Sequence, residues 1–129
     1  MLSNKMEEAL NAQINAEFWS AYLYLSMSAW CAREGKPGMA HWFEVQFQEE
    51  QDHARILFNL YALTHQENDY ATQSMLKWFV DEQVEEEENA TNIIDNLKML
   101  NGNGYGIFMM DKDLAARVYT QAAPLAGKA

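Results

Sequence analysis

Residues 47–58 read FQEEQDHARILF, and the chain runs on through HARILFNLYALTHQEND to residue 69. Glu49, Glu50, Asp52 and His53 sit inside a segment otherwise apolar enough to face a helical core. Around them apolar residues recur at steps of four and three (Met39, Phe43, Phe47, then Ala54, Leu57 and Tyr61), and Glu50 falls on that stripe. An ionised carboxylate there is costly unless a cation meets it. Glu50 and His53 stand at i and i+3, so both leave one side of the helix and can reach one ion.

The same interruption recurs on two other helices. Ser3 is a good N-cap for a first helix that has Glu7 and Glu8 in or near its first turn and runs to Glu34, before GKPG. Its stripe is Leu10, Ile14, Glu17, Ala21, Tyr24, Ser28 and Cys31, broken by Glu17. The second helix follows Pro37. A polar stretch, HQENDYA at 65–71, offers Asp69 as N-cap for a third helix beginning near Tyr70. Its stripe runs Met75, Phe79, Glu82, Glu86, Ala90, Ile93, Leu97, Leu100 and ends at the NGNGYG turn. A last short helix is expected from Asp111 to about Tyr119, with a frayed tail, TQAAPLAGKA. With few β-branched residues and no useful period-2 alternation, the chain reads as all-α.

At 129 residues the chain fits a single domain, 1–129. Nineteen acids against nine Lys and Arg give a net charge of −10, which repels nucleic acid and anionic membrane and attracts cations. One cysteine, Cys31, suits a reducing compartment and reads as core rather than as a nucleophile. The start, MLSNKMEEAL, has no basic n-region or apolar h-region, and no stretch nears the ~18 apolar residues of a membrane span, so a cytoplasmic protein is expected. GxGxxG, P-loop, GxSxG and CxxC patterns are all absent, which removes nucleotide and acyl-transfer chemistry.

Lys and Arg fall mostly at helix ends and on polar faces, so a bound cation is the expected partner of the stripe carboxylates. Glu-x-x-His is the recurrent ligand motif of carboxylate-bridged di-iron bundles. An oxygen-rich site with one imidazole suits Fe(II), Mn(II) or Zn(II), and the ligands alone do not choose among them. Glu87 and Glu88 read as a solvated helix face, and His41 and His65 as surface or turn residues.

Residues 11–31 (NAQINAEFWSAYLYLSMSAWC), 38–54 (GMAHWFEVQFQEEQDHA) and 70–87 (YATQSMLKWFVDEQVEEE), followed by GIFMMDKDL, resemble the bacterial non-haem ferritins over nearly the whole chain. The resemblance implies a ferritin-like helical bundle, here with three long helices and a short C-terminal one. It implies an iron-storage homo-oligomer, usually a cage of 24 subunits without haem. Each subunit there oxidises Fe(II) with dioxygen or hydrogen peroxide and passes Fe(III) to a mineral core. Matched residue by residue, Glu17, Glu50 and His53 are ligands of the first iron, with Glu50 bridging to the second. Glu86 matches a ligand of the second iron, with Gln83 beside it, and Glu49, Glu82 and Glu85 match a third-iron site. Tyr24 and Trp78 fall where the family has redox-active aromatics, and each reads equally well as aromatic core.

One departure accompanies the match. HARILFN resembles the second family helix, but LYALTHQEND resembles only the end of the third, so roughly a helix and its crossover are missing. In the family these two helices run the same way, so the join keeps one continuous helix followed by an antiparallel partner. It leaves part of the core uncovered and the second iron a carboxylate short. Two other readings stay open: a ferritin-fold structural or assembly variant with impaired ferroxidase activity, and another di-iron oxidase or peroxidase of the bacterioferritin or rubrerythrin kind. The latter generally carry two Glu-x-x-His motifs, and this chain has one.

Overall fold

Helix α1 (Asn4–Arg33) opens as expected on Ser3, whose hydroxyl accepts a hydrogen bond from the Met6 N–H at 3.3 Å. It closes on Gly35, in the left-handed region at φ 70, with the Lys36 N–H donating to the Cys31 carbonyl and the Gly35 N–H to that of Ala32. Pro37 then starts α2 (Pro37–Leu63), a position that needs no amide donor. Helices α3 (Asp69–Leu100) and α4 (Gly104–Leu114) complete a computed structural model that describes residues 3–63 and 69–126. Among these residues every regular element is an α-helix, and no helix is long and apolar enough to cross a membrane.

The stripe on α1 is largely the buried one: Leu10, Glu17, Ala21, Ser28 and Cys31 are buried, with Ile14 and Tyr24 half-buried. On α2 the expected Glu50, Ala54 and Leu57 are buried, and so are Val45, Ile56 and Leu60, because α1, α4 and the C-terminal segment all reach this helix. Leu10, Leu57 and Leu60 form the core cluster, onto which Ile14 and, from α3, Met75 and Phe79 pack. No described residue of α3 is fully buried, and Ala90 and Leu97 of its stripe are exposed. Between α1 and α3 runs an open groove of about 550 Å³, in keeping with an incompletely covered core. Large apolar side chains such as Trp19, Tyr22 and Trp30 on α1 and Val80, Val84 and Met99 on α3 are exposed.

The last helix differs from expectation. Asn101 (φ 45) and Gly102 (φ 78) turn the chain within two residues. Asn103 then caps a new helix by accepting from the Gly106 N–H at 2.9 Å, so the helix spans Gly104–Leu114 instead of 111–119. Its Asp111 carboxylate accepts from the Gly38 and Met39 N–H groups at 3.0 and 2.8 Å, satisfying two donors at the start of α2. A Cβ at Gly38 would run into the Asp111 carbonyl, so glycine there permits the close approach. The start of the segment expected to fray is tied to α2: Tyr119 Oη donates to Asp52 at 2.7 Å and the Ala122 N–H to the same oxygen at 2.9 Å, and residues 122–126 form a local turn. His41 is likewise half-buried rather than on the surface, and its Nε2 lies 2.6 Å from the Arg117 carbonyl. His65 lies outside the described residues.

Candidate metal centre

Helical spacing brings Glu17 from the middle of α1 against Glu50 and His53, one turn apart on α2. All three are buried, at 8%, 5% and 3% exposure. His53 Nδ1 lies 3.5 Å from Glu17 Oε2 and 3.5 Å from Glu50 Oε2. Its other nitrogen, Nε2, faces α3 and lies 3.9 Å from Glu82 Oε1. Two overlapping groups result, Glu17–Glu50–His53 and His53–Glu82–Glu86, each with ligand atoms within 4.8 Å of one another. Both face the groove between α1 and α3.

The electrostatics are those of anions crowded around one cation. Burial works against charge on Glu17, yet hydrogen bonds with His53, Glu50 and Gln13 win and hold its carboxyl at about 2. Burial pushes Glu50 up to about 7, with Glu17 and Glu86 adding to it against the His53 hydrogen bond. Burial alone favours a neutral His53 ring, but Glu17 and Glu50 outweigh it and raise the imidazole to about 10. Glu82 and Glu86 are also raised, by burial first, in spite of His53. Protons on His53 and on the carboxylates therefore balance this cluster, and a divalent ion could displace them because it binds the deprotonated forms.

Other expected site residues are placed as follows. Gln83 is exposed at the groove and donates to Glu87 at 3.0 Å. Glu85 is exposed and, with Glu49 and Glu82, lines a separate cavity of about 70 Å³. Glu49 is already paired: Arg117 Nη2 donates to its Oε2 at 2.6 Å, a cationic partner that the sequence pattern did not disclose. Tyr24 lines both spaces and stacks on Phe43 with ring centroids 6.0 Å apart. Burial, then Glu50 and Glu86, raises its phenol above the ordinary value. Trp78 meets the His53 ring edge-on at 5.6 Å.

Sequence reasoning missed two amides beside the carboxylates. Gln13 Nε2 donates to Glu17 at 2.8 Å, and the buried Gln46 donates to Glu86 at 3.3 Å. For Gln13 the signal was present, since it stands four residues before Glu17, whereas Gln46 meets Glu86 across 40 residues of chain, beyond any local pattern.

A family model described as the ferritin-like domain matches residues 7–60 and 55–100. A probable bacterial non-heme ferritin-like protein of Haemophilus influenzae is 33% identical over 158 residues, covering 88% of this chain and 96% of that protein. The bacterial non-heme ferritin of Bacteroides fragilis is 34% identical over 161 residues, with 91% and 100% covered. Both alignments are longer than the 129 residues of this chain, so the relatives have positions without a counterpart here. Among solved structures, a closed form of the Archaeoglobus fulgidus ferritin made by site-directed mutagenesis superposes with a TM-score of 0.83 at 32% identity, covering 93% of this chain and 100% of that one. The open-pore ferritin of the same archaeon gives 0.82 at 32% identity, over 91% and 98%. With its fold, its sequence and the ferritin-like model matched over most of its length, the chain belongs to the ferritin family.

Proposed function

We propose that the chain is an iron-storage subunit that oxidises Fe(II) to Fe(III) and delivers it to a mineral within a homo-oligomeric cage. The observation that carries this reading is the buried Glu17–Glu50–His53 group, two carboxylates and an imidazole with ligand atoms within 4.8 Å and no lysine or arginine among them. Fe(II) is substrate here. Two ions each give up one electron, and dioxygen with two protons leaves as hydrogen peroxide, or hydrogen peroxide with two protons leaves as water. The chain's part is to gather the ions, neutralise their charge and hold protons at His53 and Glu50 until metal arrives. Glu17, Glu50 and His53 serve the first ion, Glu50 and Glu86 the second, with Gln83 at its edge and Tyr24 and Trp78 as neighbouring aromatics. Exposed apolar side chains along α1 support assembly with further copies. The names of the relatives, bacterial non-heme ferritins, favour the same reading.

Aerobic Fe(II) oxidation, followed by absorbance for this chain beside Glu50→Ala, tests it. Rapid oxidation that disappears in the variant upholds the proposal; oxidation no faster than buffer in both removes it. One observation favours a second reading, a ferritin-fold assembly subunit without turnover: the cluster opens onto a groove of about 550 Å³ instead of a closed bundle interior. On either reading the second ion is held more weakly than the first, and an Fe(II) titration with two equal, tight sites per chain would contradict that.

A further inference from the structure

Arg117 lies just beyond α4 and is held from several sides. Its guanidinium carbon stands 4.5 Å from the centre of the Trp42 ring, and Nη1 donates to the Trp42 carbonyl at 3.4 Å. Nη2 donates to Glu49 Oε2 at 2.6 Å, and the Arg117 carbonyl meets His41 Nε2 at 2.6 Å. A carbonyl only accepts, so His41 is the donor in that last contact. The guanidinium thereby reaches the cavity of about 70 Å³ that Glu49, Glu82, Glu85 and Glu86 line. Burial raises the Glu49 carboxyl while Arg117 pulls it back down. The cavity exceeds the ~30 Å³ share of one water, so it has room for a small ion.

We propose that Arg117 is the resident cation of this cavity: its guanidinium, fixed on Trp42 and paired with Glu49, excludes a metal ion from a carboxylate group that would otherwise hold one. This deepens the reading of the chain as a metal-loading ferritin subunit and rests on it for the expectation that ions enter the neighbouring His53 groups. The resemblance assigns Glu49, Glu82 and Glu85 to a third iron, and the geometry points instead to a position closed by the chain itself. The guanidinium is delocalised, stays charged at any working pH and presents planar donors matched to a carboxylate, so it holds Glu49 without metal. Arg117 is in this sense a residue that sets how many ions each chain takes.

The test is equilibrium dialysis against Zn(II) at pH 7.5, with metal counted per chain, for the full-length protein beside Arg117→Gln. The variant is expected to hold one more ion per chain than the parent, and Arg117→Gln combined with Glu49→Gln should return to the parental count. An unchanged count in folded Arg117→Gln would overturn the proposal. Should circular dichroism find that variant unfolded, Glu49→Gln alone decides: an unchanged count upholds the proposal, because Arg117 already occupies that carboxylate, and a loss of one ion overturns it. A parent that binds no zinc would remove the His53-centred reading, yet a gain of one ion in Arg117→Gln would still establish Arg117 as the excluding cation.

Discussion

Replacing Glu50 by glutamine is expected to make the metal-free protein more stable while weakening its grip on metal. Glu50 is 5% exposed and shares His53 with Glu17, so two carboxylates compete for one imidazolium. Burial, reinforced by Glu17 and Glu86, lifts its carboxyl from 4.5 to about 7. An acid whose folded pKa is raised costs nothing below the unfolded value; the cost grows as pH climbs toward the folded value and levels off above it. A rise of that size corresponds to about 3 kcal/mol once the group is ionised, at about 1.36 kcal/mol per unit. Water in the open groove screens part of it, so a gain of about 1–3 kcal/mol is expected for Glu50→Gln at pH 8, less than about 1 kcal/mol at pH 5 and almost none at pH 4. The amide keeps the side chain's shape, and His53 keeps Glu17. Urea denaturation followed by circular dichroism, in EDTA and at one protein concentration, reads the difference directly. Equal or lower stability of the variant at pH 8 would refute the argument that Glu50 is kept at a cost to the fold.

Further outcomes follow from the same contacts. Because His53 is held at about 10, it must give up a proton to bind metal, so Zn(II) binding should release about one proton per ion from it and tighten about tenfold per pH unit between 7 and 9; calorimetry in buffers of different ionisation heat checks both, and pH-independent affinity would contradict it. Gly38→Ala should cost about 2–3 kcal/mol, since its methyl group meets the Asp111 carbonyl and must push α4 off α2; thermal denaturation measures it, and a neutral result would place α4 elsewhere. Asp52→Ala removes the acceptor for Tyr119 and Ala122, so limited proteolysis should cut within residues 117–126 faster, with a stability loss of about 1 kcal/mol.

The parts of the fold that follow from helical period were legible in the sequence. Ser3, the α1 stripe through Glu17 and the α2 stripe through Glu50 all depend on local spacing, and they lie in the structure where that spacing puts them. The short helix was displaced because two positive-φ residues suffice to turn the chain, leaving the remaining glycines free to enter α4 under the Asn103 cap. Val45, Ile56 and Leu60 were missed because a single-face reading of α2 leaves no room for neighbours on its other sides. Within the candidate site, juxtaposition of Glu17, Glu50 and His53 was foreseeable from register, whereas Arg117 meets Glu49 across 68 residues of chain, a pairing that no local pattern encodes.

The join in α2 explains why the His53 cluster and the open groove occur together. Residues 55–60 are matched by both segments of the family model, so the positions that relatives have and this chain lacks fall at that overlap. Glu17, Glu50 and His53 all precede it, and Glu82 and Glu86 follow it on α3, so these five residues still come together. The join also removes cover. The groove beside the cluster is lined by apolar Leu76, Phe79 and Val80 as well as by carboxylates, the mixed lining expected where a bundle helix no longer packs. Water entering that groove raises the local dielectric and weakens attraction between the carboxylates and a bound cation, relative to a closed bundle interior. Ions held there, those of the Glu17–Glu50–His53 group included, should therefore exchange faster with small chelators than ions in a four-helix ferritin.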